Sequence, residues 1–232
     1  MILLPFLAAS FEQIYGFFRG GGFFMIPLVL CSIIAVTVAI MCGLALRRHL
    51  VVPVELEQEI ERLAPNDTPD SVLRLSRFVR NDESTLARIV QVGLTNLHQP
   101  KDENQNAVQT VARHEVGRLE HGLHVLEIII GIAPLLGLLG AVSGLVQVFG
   151  AFGSSATQSD PHVIARGISE ALSTTVVGIG IAIPTLIAHG LLAKRAETLA
   201  ADMELLVSGL LVKCYNQKHR RNPMDFPTEA QA

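Results

Sequence analysis

The chain has few charged residues and no tryptophan. Only 17% of its 232 residues are charged, and the net charge of −3 includes no basic stripe, which argues against nucleic acid as a partner. The sequence contains no Walker loop, kinase motif set, nucleophile elbow or zinc signature. These absences argue against an ATP-driven mechanism and against an enzyme active site within the chain. We expect no cofactor and no metal.

Cysteine is also scarce. Cys31 and Cys42 lie in the first of the apolar runs described below, and Cys214 lies near the C-terminus, with no metal-ligand spacing among them. None is predicted to face an oxidising compartment, so we expect reduced, structural thiols.

A histidine-rich stretch comes nearest to a metal site. His121 and His124 are three residues apart, and Glu120 and His124 are four apart, so each pair shares one helical face. Zinc ligation from this face is one interpretation. A solvated or inter-helix charged face is more common for such residues, and we favour it.

Long apolar runs dominate the rest of the sequence, in which 50% of residues are hydrophobic. Three stretches lack formal charge: Phe23–Leu46, Ile128–Ser159 and Ala171–Ala193. A helix needs about 20 residues to cross a hydrocarbon core of about 30 Å, so each stretch is long enough. A buried helical hairpin in a soluble protein is the alternative, but three such runs are hard to bury without lipid. We therefore predict an all-α membrane protein with three transmembrane helices.

The distribution of lysine and arginine predicts the orientation. Basic residues follow the first and third runs and precede the second: Arg47, Arg48, Arg113, Arg118, Lys194, Arg195, Lys218, Arg220 and Arg221. The opposite ends carry only Arg19 and Arg166. We predict an N-out/C-in topology, in which the second and third helices extend into a cytoplasmic helical bundle.

The predicted organisation has eight segments. They are residues 1–22, a periplasmic or interfacial amphipathic segment; 23–46, the first transmembrane helix; 47–122, a cytoplasmic helical region; 123–152, the second transmembrane helix; 153–163, a periplasmic loop; 164–193, the third transmembrane helix; 194–215, its cytoplasmic extension; and 216–232, a flexible tail. Apolar spacing within the cytoplasmic region predicts helices over Val54–Ala64, Asp70–Arg80 and Ser84–Leu97. A cleaved signal peptide is the alternative for the first segment, although its basic n-region is missing.

The second span is rich in small residues. They are Gly131, Pro134, Gly137, Gly140, Ala141, Ser143 and Gly144, and they include a GxxxG pair. Small residues let helix backbones approach closely in lipid, and packing between two spans of one chain explains any single glycine. So many small residues on several faces exceed what one neighbour needs, which favours an oligomer with a helix-lined centre.

The third span begins with a carboxylate, Glu170, after which no charged residue occurs before Lys194. An ionisable residue at the mouth of an apolar span is by default a functional site. At 100° per residue, Thr174, Gly178 and Thr185 lie within one arc beside Glu170, and His189 borders it. This stripe of polar and small residues would suit a narrow, water-filled path for ions.

Simpler explanations exist for these residues. A hydroxyl on a membrane helix often donates back to its own preceding turn. Glu170 could merely mark the outer membrane surface, where the helix dipole favours a negative charge. Pro184 lies inside the same helix and is predicted to kink it, which would locally open the stripe.

Two segments carry a family resemblance. Residues 132–145 (IAPLLGLLGAVSGL) and 168–185 (ISEALSTTVVGIGIAIPT) resemble the MotA/TolQ/ExbB proton-channel family. The small-residue motif and the glutamate-headed motif occur in the family's order, and the match covers roughly residues 115–205. The three-span layout resembles ExbB and TolQ rather than the four-span flagellar stators.

The resemblance implies a homo-oligomer, a pentamer, whose second and third spans line a central pore in a bacterial inner membrane. Two copies of a single-span ExbD/TolR-like protein with a transmembrane Asp would sit inside it, and a TonB/TolA-like protein is a further expected partner. The transported ion would be H⁺, with Na⁺ as the alternative.

The resemblance also implies roles for individual residues. The family's glutamate maps to Glu170 and its third-span threonine to Thr175, whereas the helical wheel prefers Thr174. Ala141 stands where ExbB and TolQ usually have threonine, and Ser143 should face elsewhere.

Two functions follow as hypotheses. The first is a channel-forming stator subunit of a proton-motive-force-driven motor, with Glu170, Thr174 and Thr175 along the ion path. The second is a self-contained ion or solute channel without a motor partner. That channel would need a complete relay of ionisable groups, and the spans offer only Glu170 and His189.

Overall fold

The structure is a computed structural model that describes residues 22–63, 69–154 and 161–221. These residues form helices and connecting turns, without strands. The helices are α1 (Met25–Ala45), α2 (Arg48–Val51), α3 (Val54–Arg62), α4 (Pro69–Arg80), α5 (Thr85–Thr95), α6 (Lys101–Ser154) and α7 (Pro161–Arg221), with a 3₁₀ turn at Asn96–His98. The prediction of an all-helical chain is confirmed for the described residues.

Three of the helices are long and apolar enough to cross a membrane, as predicted. They are α1 and the stretches Lys101–Gly150 of α6 and Ile164–Asn216 of α7. Helix α6 has 54 residues and α7 has 61. At about 1.5 Å per residue, each is more than twice as long as a hydrocarbon core is thick. Both helices continue through their internal prolines, Pro134 and Pro184.

Several helix ends differ from the predicted segment boundaries. Helix α6 runs to Ser154 and α7 begins at Pro161, so both helices extend into the predicted loop. Proline suits a first helical turn because its missing N–H has no intrahelical partner there. Helix α7 also continues to Arg221, beyond the predicted start of the flexible tail. The proposed amphipathic segment or signal peptide lies outside the described residues, apart from Gly22.

The chain divides into two compact units that share its long helices. Among the described residues, unit 1 comprises 22–41, 122–154 and 161–191, and unit 2 comprises 42–63, 69–121 and 192–221. Unit 1 therefore contains most of the apolar runs. Many of its large side chains point outward, among them Ile33, Leu138 and Ile187. Outward apolar side chains are what a lipid-facing surface requires, so unit 1 is the part suited to the bilayer.

Unit 2 has an ordinary hydrophobic core. The short helices bury one face each, through Leu56 and Ile60 of α3, Leu75 and Val79 of α4, and Leu86, Ile89 and Val90 of α5. Residues of α7 supply a further buried row: Leu199, Met203, Val207 and Leu210. The i, i+3, i+4 spacing of these residues is that of amphipathic helices, which confirms the helical prediction for this region.

Buried polar groups fix the packing of unit 2. Asn104 is fully buried, and its Nδ2 donates to Gly93 O at 2.9 Å and to Tyr215 Oη at 3.1 Å. Tyr215 Oη in turn donates to Gln99 O at 2.9 Å. A buried amide must be hydrogen-bonded to avoid a desolvation cost, so this network fixes one arrangement of the two long helices in unit 2.

A buried carboxylate forms a second polar centre in unit 2. Glu115 Oε2 accepts from Arg88 Nη2 at 2.6 Å, and its Oε1 lies 3.4 Å from Arg118 Nη1. The side chain of Glu115 is 6% exposed. The hydrogen bond from Arg88 holds the pKa of Glu115 below its ordinary value, although burial acts in the opposite direction. Glu115 is therefore a paired anion inside the fold.

Candidate functional site

Helices α6 and α7 contact each other closely within unit 1. A side-chain carbon on Gly144 would approach Gly167 O and Ala171, whereas one on Gly178 would approach Gly137 and the carbonyl of Ala133. Residues later in α6 therefore contact residues earlier in α7. The two helices are antiparallel along this contact, which we call the α6–α7 seam.

Absent side chains make the seam possible. A Cβ on Gly137 would lie 2.8 Å from Thr174 O, and one on Gly144 would lie 2.6 Å from Gly167 O. A Cβ on Gly178 would lie 2.6 Å from Ala133 O. Such separations are below van der Waals contact, so only glycine fits at these positions. The glycines predicted for helix packing, Gly137, Gly140 and Gly144, all lie in this seam.

Thr174 is enclosed in the seam. Its side chain is fully buried, and a Cβ on Gly140 would lie 2.7 Å from Thr174 Oγ1. The hydroxyl donates back along its own helix, to Glu170 O at 3.0 Å and Ala171 O at 3.2 Å. The Thr174 side chain therefore fills space between the helices, and its hydroxyl is hydrogen-bonded within its own helix.

The polar stripe predicted on the third span is one face of α7, and Thr174 and Gly178 on that face pack against α6. Gly178 and Thr185 are buried along with Thr174, and Thr185 Oγ1 donates to Ile181 O at 2.7 Å. Within the protomer, Thr174 and Gly178 of this stripe lie against α6, because small residues allow close packing. His189, at the end of the stripe, is half-buried.

Thr175 lies at an edge of the seam. It is half-buried, and its Oγ1 donates to Ala171 O at 3.0 Å and to Gly137 O at 3.4 Å. Ala141, also half-buried, lies four residues after Gly137, as Thr175 lies four after Ala171. Each step of four turns about 40°, and antiparallel helices turn in opposite senses when viewed from one end. Thr175 and Ala141 therefore share one edge of the seam.

Glu170 and Ser143 lie toward the other edge. Each precedes a seam residue by one position, Ala171 and Gly144 respectively, which rotates it about 100° the opposite way. Ser143 is half-buried, whereas Glu170 is only 7% exposed. Glu170 and Thr175 therefore lie toward opposite edges of the seam.

Glu170 lies against Gly22, three residues before the start of α1. Gly22 has a positive φ of 66°, and a Cβ built on it would overlap Oε1 and Cδ of Glu170. Sequence reasoning missed this contact because Gly22 fell at the end of a predicted interfacial segment. The run of three glycines at 20–22 was the available signal for a special backbone near the start of the span.

The histidine-rich stretch contains a solvent-facing contact between a histidine and a glutamate. His124 Nδ1 lies 3.4 Å from Glu127 Oε2, and both side chains are exposed. Within the described ranges, no group of three or more His, Cys, Asp and Glu side chains converges as metal ligands would. This geometry suits the solvated charged face favoured above.

Known proteins resemble this chain over most of its length. Residues 81–205 match the model of the MotA/TolQ/ExbB proton channel family. The biopolymer transport protein ExbB-like 1 of Synechocystis is 33% identical over 183 residues, which cover 77% of this chain and 70% of that protein.

Two other relatives have nearly the same coverage. The biopolymer transport protein exbB1 of Vibrio cholerae is 28% identical over 181 residues, covering 77% of this chain and 78% of that protein. The biopolymer transport protein ExbB of Neisseria gonorrhoeae is 28% identical over 180 residues, covering 75% and 78%.

The matched region contains the whole α6–α7 seam, Glu170 and Thr175. With three apolar helices of spanning length, the chain is a multi-pass membrane protein. It belongs to the MotA/TolQ/ExbB proton channel family and is ExbB-like.

Proposed function

We propose that this protein is the channel-forming stator subunit of an inner-membrane motor driven by the proton-motive force. The observation that carries the proposal is the buried Glu170 carboxyl beside a glycine-lined pair of spanning helices, in a member of a proton channel family. The motor would act on envelope partners through a single-span ExbD/TolR-like subunit. The relatives' shared description as biopolymer transport proteins supports this task.

The proposed topology is N-out/C-in across a bacterial inner membrane. It places unit 2, with Arg47, Arg48, Lys194 and Arg195 near its edge, in the cytoplasm. Basic residues concentrate on the cytoplasmic side of membrane proteins, which supports this direction. Glu170 then lies toward the periplasmic entrance, where an incoming proton would first meet the protein.

The composition of the spans supports a separate partner. None of the chain's aspartates falls in the three uncharged runs, and Glu170 alone heads the third. A complete proton relay therefore needs an acid from another polypeptide, and a transmembrane Asp on a single-span partner would supply it. The self-contained channel is disfavoured for the same reason.

A homo-oligomer, a pentamer, is proposed as the working assembly. The seam uses one face of each long helix. Other faces also carry glycines, and a Cβ at Gly131, Gly180 or Gly190 would meet no atom within 4 Å. Small residues on outward faces of membrane helices permit close contact with further helices. The exposed faces of α6 and α7 thus suit neighbouring copies and the partner's helix.

The proposed mechanism uses the two edges of the seam separately. The edge with Thr175 and Ala141 would face the partner helix, where the Thr175 hydroxyl lies beside the partner's Asp. Glu170, at the other edge, would hold or pass a proton near the entrance. Neutralising the partner's Asp removes its attraction to the polar lining, which lets that helix step. One charge moved through about 100 mV supplies about 2.3 kcal/mol.

Native mass spectrometry of the tagged, gently solubilised complex is the direct test. We expect five copies of this chain with two copies of a small single-span protein that carries a membrane Asp. A homo-oligomer that repeatedly lacks any partner would instead support the self-contained channel. Glu170→Gln should abolish proton-driven work and leave this stoichiometry intact; full activity in that variant would remove Glu170 from the mechanism.

A further inference from the structure

An exposed glycine and a buried carboxylate occupy adjoining space in unit 1. Gly22 is exposed, whereas Glu170 is 7% exposed. A methyl group on Gly22 would overlap Oε1 and Cδ of Glu170 and would lie 3.1 Å from Oε2. The position occupied by the carboxyl group therefore exists only because residue 22 has no side chain.

The backbone at Gly22 also requires glycine. Its φ of 66° lies in the left-handed region, which side chains disfavour. In this conformation Gly22 O accepts from Met25 N at 3.3 Å, in the turn that leads into α1. Steric space and backbone conformation thus independently favour glycine here.

We propose that Gly22 is a positioning residue for Glu170: it keeps the carboxyl group in a sheltered place at the start of the first span. The functional part of this inference rests on the proposed role of Glu170 in proton transfer. Substitution of Gly22 should displace the carboxyl group rather than unfold the chain, because the overlapping atoms are the end of a flexible side chain.

Carbodiimide labelling of the intact complex in membranes tests the position directly. A water-soluble carbodiimide with an added amine converts water-accessible carboxyl groups to amides, and mass spectrometry quantifies the product at each residue. We expect Gly22→Ala to raise labelling of Glu170 several-fold and to leave Glu115, the buried carboxylate of unit 2, unchanged. Gly209→Ala, on the same helix as Glu170, is the matched control, since a Cβ there meets open space. Unchanged labelling of Glu170, or an equal rise at Glu115, would overturn the proposal.

A double-mutant cycle separates side-chain overlap from backbone strain. Both contributions are present when Gly22→Ala is made in the native chain, whereas only the strain persists in a Glu170→Ala background. We expect the fall in Tm caused by Gly22→Ala to be several degrees smaller in that background. Equal falls in the two backgrounds would show that the residues do not interact.

Activity then distinguishes this inference from the proposed function. We expect proton-driven transport to fall about tenfold in Gly22→Ala, where about 1.4 kcal/mol corresponds to each tenfold change, and to persist in Gly209→Ala. If Glu170→Gln is inactive while Gly22→Ala is active and labels normally, the positioning role is wrong. If Glu170→Gln is active while labelling and the cycle behave as expected, the contact stands and the proposed function fails.

Discussion

The side chain of Thr174 on α7 fills the space that Gly140 leaves open on α6. A Cβ at residue 140 would lie 2.7 Å from Thr174 Oγ1 and 2.8 Å from its Cβ. Since Thr174 is fully buried, it has nowhere to retreat without moving α7. The hydroxyl that appeared in the sequence as part of a polar path is, within the protomer, a packing contact.

Gly140→Ala should therefore destabilise the protein. Overpacking of a close contact typically costs about 1–3 kcal/mol, and we expect a corresponding fall in Tm of the detergent-solubilised protein. Gly117→Ala, on the same helix, is the control because its Cβ would meet open space. Equal Tm values for the two variants would contradict the close contact.

Isosteric changes separate the roles of the two threonines. Thr174→Val removes a hydroxyl that bonds only to its own helix, so ion-driven activity should persist. Thr175→Val removes a hydroxyl at the edge of the seam, and we expect activity to fall tenfold or more. The measurement is proton-dependent transport in cells that produce each variant at equal levels. If Thr174→Val lowered activity more than Thr175→Val, Thr174 would be the threonine that acts in ion transport, as the helical wheel predicts and the family motif does not.

Glu115 should make stability depend on pH. Its pKa is lowered in the folded state, so its stabilising contribution is complete above the pKa of the unfolded chain. That contribution is lost as the pH falls through the lowered, folded-state pKa. Glu115→Gln should therefore lower Tm at pH 7, and the difference from the native chain should shrink at about pH 4 and below. A constant Tm difference across this range would mean that Arg88 does not stabilise the charged form.

Tyr215→Phe should weaken unit 2. The change removes the hydroxyl that accepts from Asn104 and donates to Gln99 O, leaving buried polar groups with fewer partners. We expect a loss of about 1–3 kcal/mol in the free energy of unfolding, measured by chemical denaturation. Thr198→Val, which removes an exposed hydroxyl bonded to Lys194 O, should change it by much less. Similar losses in both variants would show that the buried network contributes little to the free energy of unfolding.

The sequence predicted the helices well because hydrophobic periodicity is a local property. Predicted helices over Val54–Ala64, Asp70–Arg80 and Ser84–Leu97 correspond to α3, α4 and α5 within a few residues. The predicted start of the third of these is its N-cap, where Ser84 Oγ accepts from Ala87 N at 3.2 Å. Local side-chain chemistry of this kind can be inferred from neighbours in sequence.

The site was predicted less completely because its arrangement depends on which faces meet. A helical wheel correctly grouped Glu170, Thr174 and Thr185 on neighbouring positions of α7, but it carries no information about α6. Only the antiparallel contact places Glu170 and Thr175 toward opposite edges. Likewise, the proximity of Gly22 to Glu170 joins residues far apart in sequence, and no local pattern encodes it.

The glycine seam has a consequence for how this protein can change over evolutionary time. Every missense mutation of a glycine codon adds side-chain atoms, and Gly137, Gly144 and Gly178 face backbone atoms that cannot yield. Single substitutions at these codons should therefore be poorly tolerated, whereas alanine at Gly131 or Gly180 meets no atom within the protomer. In a deep mutational scan, we expect the helix pair to show nearly intolerant positions one or two turns from permissive ones. We therefore expect substitutions within the family to accumulate on the outward faces of the two helices, where new contacts with neighbouring helices can arise.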